Sequence, residues 1–126
     1  MTAAQVRSFA AGARSTDTIG RVLCSIRNHH FIIDGPAQNG FPGEEVTPAE
    51  MFLAAIASCG VELLQGLARD GGTPLTAVRC DISGNLDRSK PVRSDVSVFN
   101  AVKLDFHLSG VSKEQGVALV ERFRGR

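Results

Sequence analysis

Three thiols carry most of the chemical potential of this 126-residue chain: Cys24, Cys59 and Cys80. The number is odd and no pair has C-x-x-C spacing, so a secreted disulfide framework is not expected and free thiols in a reducing cytosol are. A thiol attacks only as its thiolate. Cys59 lies about three turns inside a long apolar run, too deep for the dipole of its own helix to stabilise that anion. To react it needs a cation or hydrogen-bond donor from elsewhere, and some exposure; without them it is a small core residue. Ser58 and Glu62 are polar neighbours in a run that otherwise avoids them, and Gly60 leaves space beside the thiol, which marks a candidate pocket. Cys24 and Cys80 alternate onto the apolar faces of their strands and read as core filler. His29 and His30 are adjacent and face opposite ways, and His107 is the remaining histidine, so no metal site is expected. No Gly-rich phosphate loop or G-x-S-x-G elbow is present, and no cofactor is expected.

The elements that must position these residues centre on Thr47 to Gly72. Thr47 is a good N-cap, Pro48 takes the first helical position, and Glu50 stands three residues after Thr47, as in a capping box. Gly71 and Gly72 end the helix and Pro74 stops its resumption. Apolar residues cover nearly its whole circumference, with Ser58, Glu62, Gln65 and Arg69 as the polar stripe. Such a helix is expected to be buried on most sides. A two-layer domain supplies one cover, so the remaining face predicts a subunit interface.

Around that helix, Gln5–Ala10 forms a short candidate strand and Ala11–Thr18 has turn composition. Ile19–Ile26 and His30–Asp34 read as a hairpin turning near Asn28. Gly35–Glu45, with its glycines and prolines, is a long loop of the kind that often carries function. Leu75–Leu86 and Val96–Ser109 alternate as strands, joined by the polar Asp87–Ser94. Val102, Leu104, Phe106 and Leu108 point in; Lys103, Asp105 and His107 point out. Ser112 and Gln115 form a second capping box before a helix whose apolar face is Val117, Val120 and Phe123. The order gives an α+β fold, helices on an antiparallel sheet, in a single domain spanning 1–126.

Bulk properties exclude other classes. A net charge of +1 gives no support for nucleic-acid or anionic-membrane binding. The first residues lack a signal-peptide apolar core, and the apolar window Met51–Ala68 contains Glu62 and Gln65 and is short for a bilayer, so no membrane association is expected.

The run from Arg27 to Cys59 resembles the OsmC/Ohr family of thiol-dependent hydroperoxide-reducing proteins. The matching features are Asp34-x-Pro36 after a strand, a Gly-bearing loop, the helix start Thr47-Pro48-x-Glu50, and Leu53-Ala54-Ala55-x-Ala57-x-Cys59. The later strands and the helix after them fit as well. The resemblance implies an intertwined homodimer, cytoplasmic, with an N-terminal hairpin or small sheet, long central helix, antiparallel strands and C-terminal helix. It implies Cys59 as the peroxidatic thiolate, an arginine to activate it (Arg21 first, Arg14 next), and a catalytic glutamate. Glu50 is the candidate for that last role, although in the hydroperoxide-resistance branch the carboxylate directly follows the helix proline, where this chain has Ala49. Capping is the simpler reading of Glu50. The implied substrate is a small organic hydroperoxide, with Phe41, Phe52, Ile56 and Leu63 around its alkyl part, and the implied reductant a dithiol. The family's second cysteine has no counterpart after Cys80. The rival expectation is a non-enzymatic dimer of the same fold that binds a small apolar ligand, with Cys59 incidental.

Overall fold

A computed structural model describes residues 6–125. The chain forms two compact units that divide between Met51 and Phe52. In the first, strands β1 (Gly12–Ser15), β2 (Arg21–Ile26) and β3 (His29–Asp34) make an antiparallel sheet in that order. The expected hairpin is present, with Ile26 opposite His29 and a two-residue turn, Arg27-Asn28, in which Arg27 takes a left-handed φ of 53°.

The edge strand lies where a turn was expected. Gln5 is outside the described residues, Val6–Ala10 are not a strand, and the pairing falls on Gly12–Ser15, with Gly12 opposite Ser25. The chain reverses at 17–20 instead. Gly20, at φ 87°, allows that reversal, and Ile19 is left 84% exposed in the turn rather than opening β2. Within the loop after β3, Ala37–Asn39 closes a single 3₁₀ turn.

Helix α1 (Pro48–Asp70) has 23 residues, about 35 Å of helix. It is followed by β4 (Ala77–Asn85), β5 (Ala101–Ser109) and α2 (Lys113–Arg124). Strands β4 and β5 pair antiparallel from Ala77–Ser109 to Asn85–Ala101. Their alternation is as expected for Val78, Cys80, Ile82, Leu104, Phe106 and Leu108, which are half-buried between exposed neighbours, but Val102, expected to point in, is exposed near the strand's start. Strand β5 starts five residues later than its sequence suggests, because β4 ends at Asn85 and offers nothing to pair. Asn100 uses its side chain there to clamp the preceding loop: its Oδ1 accepts from the Asp87 amide and its Nδ2 donates to the Lys90 carbonyl, each at 2.6 Å. Helix α2 opens with the complete capping box of Ser112 and Gln115.

The core of the second unit is Leu64, Leu67 and Ala68 of α1 with Leu119 of α2, flanked by Leu75, Val78, Phe106, Leu108, Val120 and Phe123. Phe106 and Phe123 meet edge to face, 5.3 Å between centroids. Burial of α1 is far less than its composition predicts. Gly60, Leu64, Leu67 and Ala68 are buried, whereas Phe52 is 55% exposed and Ala54 and Ala55 are also open. The chain covers one side of the helix fully, and the other side keeps its apolar residues half-buried or exposed. By length and composition α1 could cross a membrane, which corrects the expectation that it is too short; the face it packs on β4, β5 and α2 is that of a core helix.

The surface area measures the shortfall. The chain exposes 9661 Å². A compact 13.4 kDa chain is expected to expose about 6,500 Å², and even two separate compact bodies of these lengths about 7,800 Å².

At Gly60, α1 lies close against a ring of the sheet. A Cβ there would sit 2.8 Å from Cζ of Phe106. This space, expected beside the thiol, is filled by that ring. Helix propensity alone would make Gly60→Ala stabilising by about 1 kcal/mol. Overpacking costs about 1–3 kcal/mol. The clash is with a ring held at its edge by Phe123, so it should win: a Gly60→Ala variant is expected to melt below the wild type, and calorimetry checks the sign.

Candidate functional site

Cys59 lies on α1 one position before Gly60, hence about 100° round the helix from the face packed on the sheet. It is exposed. At that spacing Phe52, Ile56, Cys59 and Leu63 share one stripe about 60° wide. Phe52 is anchored on it by stacking on Phe99, with centroids 5.7 Å apart and planes 14° from parallel. Ile56 and Leu63 are half-buried. Three of the four expected substrate-binding residues therefore flank the thiol on one apolar strip. The polar neighbours do not form the expected pocket: Ser58 and Glu62 are exposed, and the Ser58 hydroxyl donates back to the Ala55 carbonyl at 3.0 Å. Among the described residues no hydrogen bond reaches the Cys59 sulfur. An apolar groove of about 460 Å³ lies elsewhere, between β5 and α2.

The other thiols lie on strands outside the buried core that was expected to hold them. Both are half-buried. Cys80 faces inward opposite Phe106, and burial, helped by Asp81 and Asp105, pushes its thiol up from its ordinary value, away from nucleophilic use. Glu50 sits in the first turn of α1 and takes both polar groups of Thr47 on one oxygen, the amide at 3.0 Å and the hydroxyl at 2.8 Å. Those bonds, the backbone one first, hold its carboxyl below the usual range. The Thr47 hydroxyl thus donates to Glu50, and only half of the expected reciprocal box is made.

The most elaborate polar construction is in the first unit, around Arg21. Its Nε and Nη2 grip Asp34 in a bidentate pair at 2.8 and 2.9 Å, and Nη2 also reaches Glu44 at 3.0 Å. Asp34 is fully buried. A buried carboxylate must be paired and hydrogen-bonded, and this one is: besides the guanidinium it accepts the amides of Glu44 and Glu45 at 3.0 and 2.9 Å. The Arg21 bonds, then those two amides, hold Asp34 well below the usual carboxylate range, against the opposing effect of burial. The bond to Asp34, then that to Glu44, raise Arg21 further above its ordinary value. Arg21 Nη1 makes no hydrogen bond among the described residues. Arg14, the second arginine candidate, is exposed on edge strand β1.

Sequence reasoning named Arg21 as a candidate and Asp34 only as part of a motif. A signal for the pair was present: counting outward from the Arg27-Asn28 turn puts Arg21 directly opposite Asp34 in the β2–β3 register. The loop is locked by the same ladder end. The Gly35 amide donates to the Gly20 carbonyl at 2.8 Å, and the Phe41 ring lies against both glycines, where no Cβ could fit at either. Phe41, the fourth substrate-binding candidate, is thereby fixed on the loop with 38% of its surface exposed.

The model of the OsmC-like protein family matches residues 41–124. The chain belongs to the OsmC-like family. Solved structures share its fold. An OsmC-like protein from Mycoplasma pneumoniae superposes with a TM-score of 0.80 at 11% identity, over 97% of this chain and 84% of that one. An organic hydroperoxide resistance protein OsmC from Legionella pneumophila gives 0.71 at 19% identity, over 94% and 82%. The organic hydroperoxide resistance protein OhrB of Bacillus subtilis gives 0.59 at 20%, over 91% and 82%. At such identities these likenesses establish the fold. No curated protein sequence matches the chain. The α+β fold and the OsmC/Ohr resemblance expected from the sequence are thus both found.

The pair at the loop of this OsmC-like chain has a consequence for stability. Between the depressed folded pKa of Asp34 and its ordinary unfolded value, the unfolded chain binds the extra proton. The contribution of Asp34 is therefore complete above about pH 4 and is lost as the pH falls below it. The melting temperature of the wild type is expected to drop on acidification through that range, and that of Asp34→Asn, lower at neutral pH, to drop less steeply.

Proposed function

We propose that this OsmC-like chain is a thiol-dependent hydroperoxide reductase that works as a homodimer, with Cys59 as its nucleophile. The observation that carries this reading is an exposed Cys59 on the apolar strip of Phe52, Ile56 and Leu63, in a chain of this family. The strip suits the alkyl part of an organic hydroperoxide, with Phe41 as the loop's contribution. The Cys59 thiolate attacks the distal peroxide oxygen, the O–O bond breaks, the alkoxide takes a proton and leaves as the alcohol, and the sulfur becomes a sulfenic acid. A dithiol returns it to the thiol, giving water and a disulfide. Arg21 is our candidate for the cation that favours the thiolate and meets the leaving oxygen. Glu50, held by Thr47, serves the helix start in this reading, and its part in catalysis is secondary.

Dimerisation is supported by the uncovered side of α1 and by the surface excess, which a shared interface of obligate size would remove. The three free cysteines suit a reducing compartment such as the cytosol. One observation favours the rival reading, an apolar-ligand-binding dimer with an incidental thiol: within the described residues nothing hydrogen-bonds to Cys59.

Two measurements decide. Light scattering on the purified protein is expected to give twice the 13.4 kDa chain mass. Excess cumene hydroperoxide is expected to add one oxygen to the Cys59 peptide, trapped as a sulfenic-acid adduct, and Cys59→Ser to abolish dithiol-dependent peroxide consumption. A Cys59 that resists alkylation below about pH 8 and stays unoxidised would sink the enzyme reading and leave the binding one.

A further inference from the structure

One face of the first sheet carries a polar cluster that the thiol chemistry does not use. Directly opposed residues of neighbouring strands share a face, and so do alternate residues of one strand. The register therefore puts Gly12 and Arg14 of β1, Leu23 and Ser25 of β2 and His30 of β3 on the same face. Gly12 lies opposite Ser25, Arg14 opposite Leu23, and Ser25 opposite His30. With Ala13 they line one hollow of about 420 Å³, all of it within the first unit.

The Ser25 hydroxyl and Nδ1 of His30 share a hydrogen bond of 2.8 Å. Whichever way its proton lies, a donor is left over. If the hydroxyl donates to Nδ1, the neutral ring carries its proton on Nε2. If Nδ1 donates to the hydroxyl oxygen, the O–H is free to turn to a ligand, and a protonated ring adds Nε2–H. Arg14, exposed on β1, makes no hydrogen bond or ion pair among the described residues. No carboxylate lines the hollow. Asp34, the acid on this face, and Glu44 beside it are both held by Arg21. Gly12 leaves the flank of Ser25 open, since a Cβ built there meets nothing within 4 Å. Leu23, half-buried, is the apolar floor.

We propose that this hollow is a binding site for a small organic phosphate. The guanidinium fork, the hydroxyl and the imidazole are three separate donors, and a phosphoryl group offers three outer oxygens. A carboxylate has two and would leave one donor unused. Arg14 and a protonated His30 supply the charge that a phosphoryl dianion asks for. Leu23 takes the apolar part of the ester. The site is independent of Cys59 and involves no covalent step: the phosphate binds and leaves unchanged.

The test is calorimetric titration of phenyl phosphate into the full chain at low salt, with benzoate as the carboxylate comparison. Saturable binding in the millimolar range is expected, with benzoate weaker. Arg14→Gln should weaken phenyl phosphate about tenfold and Ser25→Ala about threefold, the losses of a charge-assisted and a neutral hydrogen bond. Gly12→Leu keeps every donor, fills the hollow and should abolish binding. Arg88→Gln, exposed and outside this unit, should leave it unchanged. An equal loss in Arg88→Gln and Arg14→Gln would mean that the anion answers only to net charge, and overturns the proposal. Binding that survives Gly12→Leu, benzoate as tight as phenyl phosphate, or no saturable binding overturns it too. A readout on the wild type needs no variant to fold. The ring resonances of His30 should shift during the titration and those of His107 should not; a His30 ring that does not respond overturns the proposal equally.

Discussion

Helix α1 carries more apolar surface than its own chain covers, and the rest of the structure answers to that imbalance. Its sheet side is satisfied by Gly60 against Phe106 and by Leu64, Leu67 and Ala68 against α2 and the strands. Its other side, with the thiol and with Phe52 stacked on Phe99, is only partly covered within the unit. A helix uncovered in this way is favourable only if something else removes the surface from water. The Cys59 thiol thus sits on the strip that the chain leaves most open, so in the proposed function association and chemistry would share the same apolar ground.

The first unit is organised by a different force. The one buried charge among its described residues, Asp34, ties strand β2 to the end of β3 and gathers the amides of Glu44 and Glu45, so the long loop is closed onto the sheet by electrostatics rather than by a core. A buried ion pair with this many partners contributes specificity of arrangement more surely than it contributes stability. What it specifies here is the orientation of one guanidinium.

The fold was largely legible because its signals are local. The Thr47-Pro48 start, the Ser112–Gln115 box, the Gly71-Gly72 stop and the alternation in β4 and β5 each encode a boundary or a face within a few residues. What was illegible depends on partners distant in sequence. Gly12-Ala13-Arg14-Ser15 has little strand character and becomes β1 because β2 offers an open edge. Val96–Phe99 has strand character and remains unpaired because β4 is already spent. Of the candidate residues, the thiol, its apolar stripe and Arg21 could be named from residue type, spacing and resemblance. The space expected at Gly60 could not be seen to be full, since the ring that fills it is 46 positions away. Asp34 was hidden as a motif residue until the hairpin register set it against Arg21.

The Phe41 ring between Gly20 and Gly35 has a consequence for how this loop can vary. Those two glycines and the phenylalanine behave as one lock, since a side chain at either glycine would evict the ring. The tip is different: Gly40 faces open space, and the 3₁₀ turn before it buries nothing. Insertions, tags or epitope grafts would therefore be accommodated best at 38–39, with Gly40 kept for its left-handed φ of 81°, and rejected a few residues to either side.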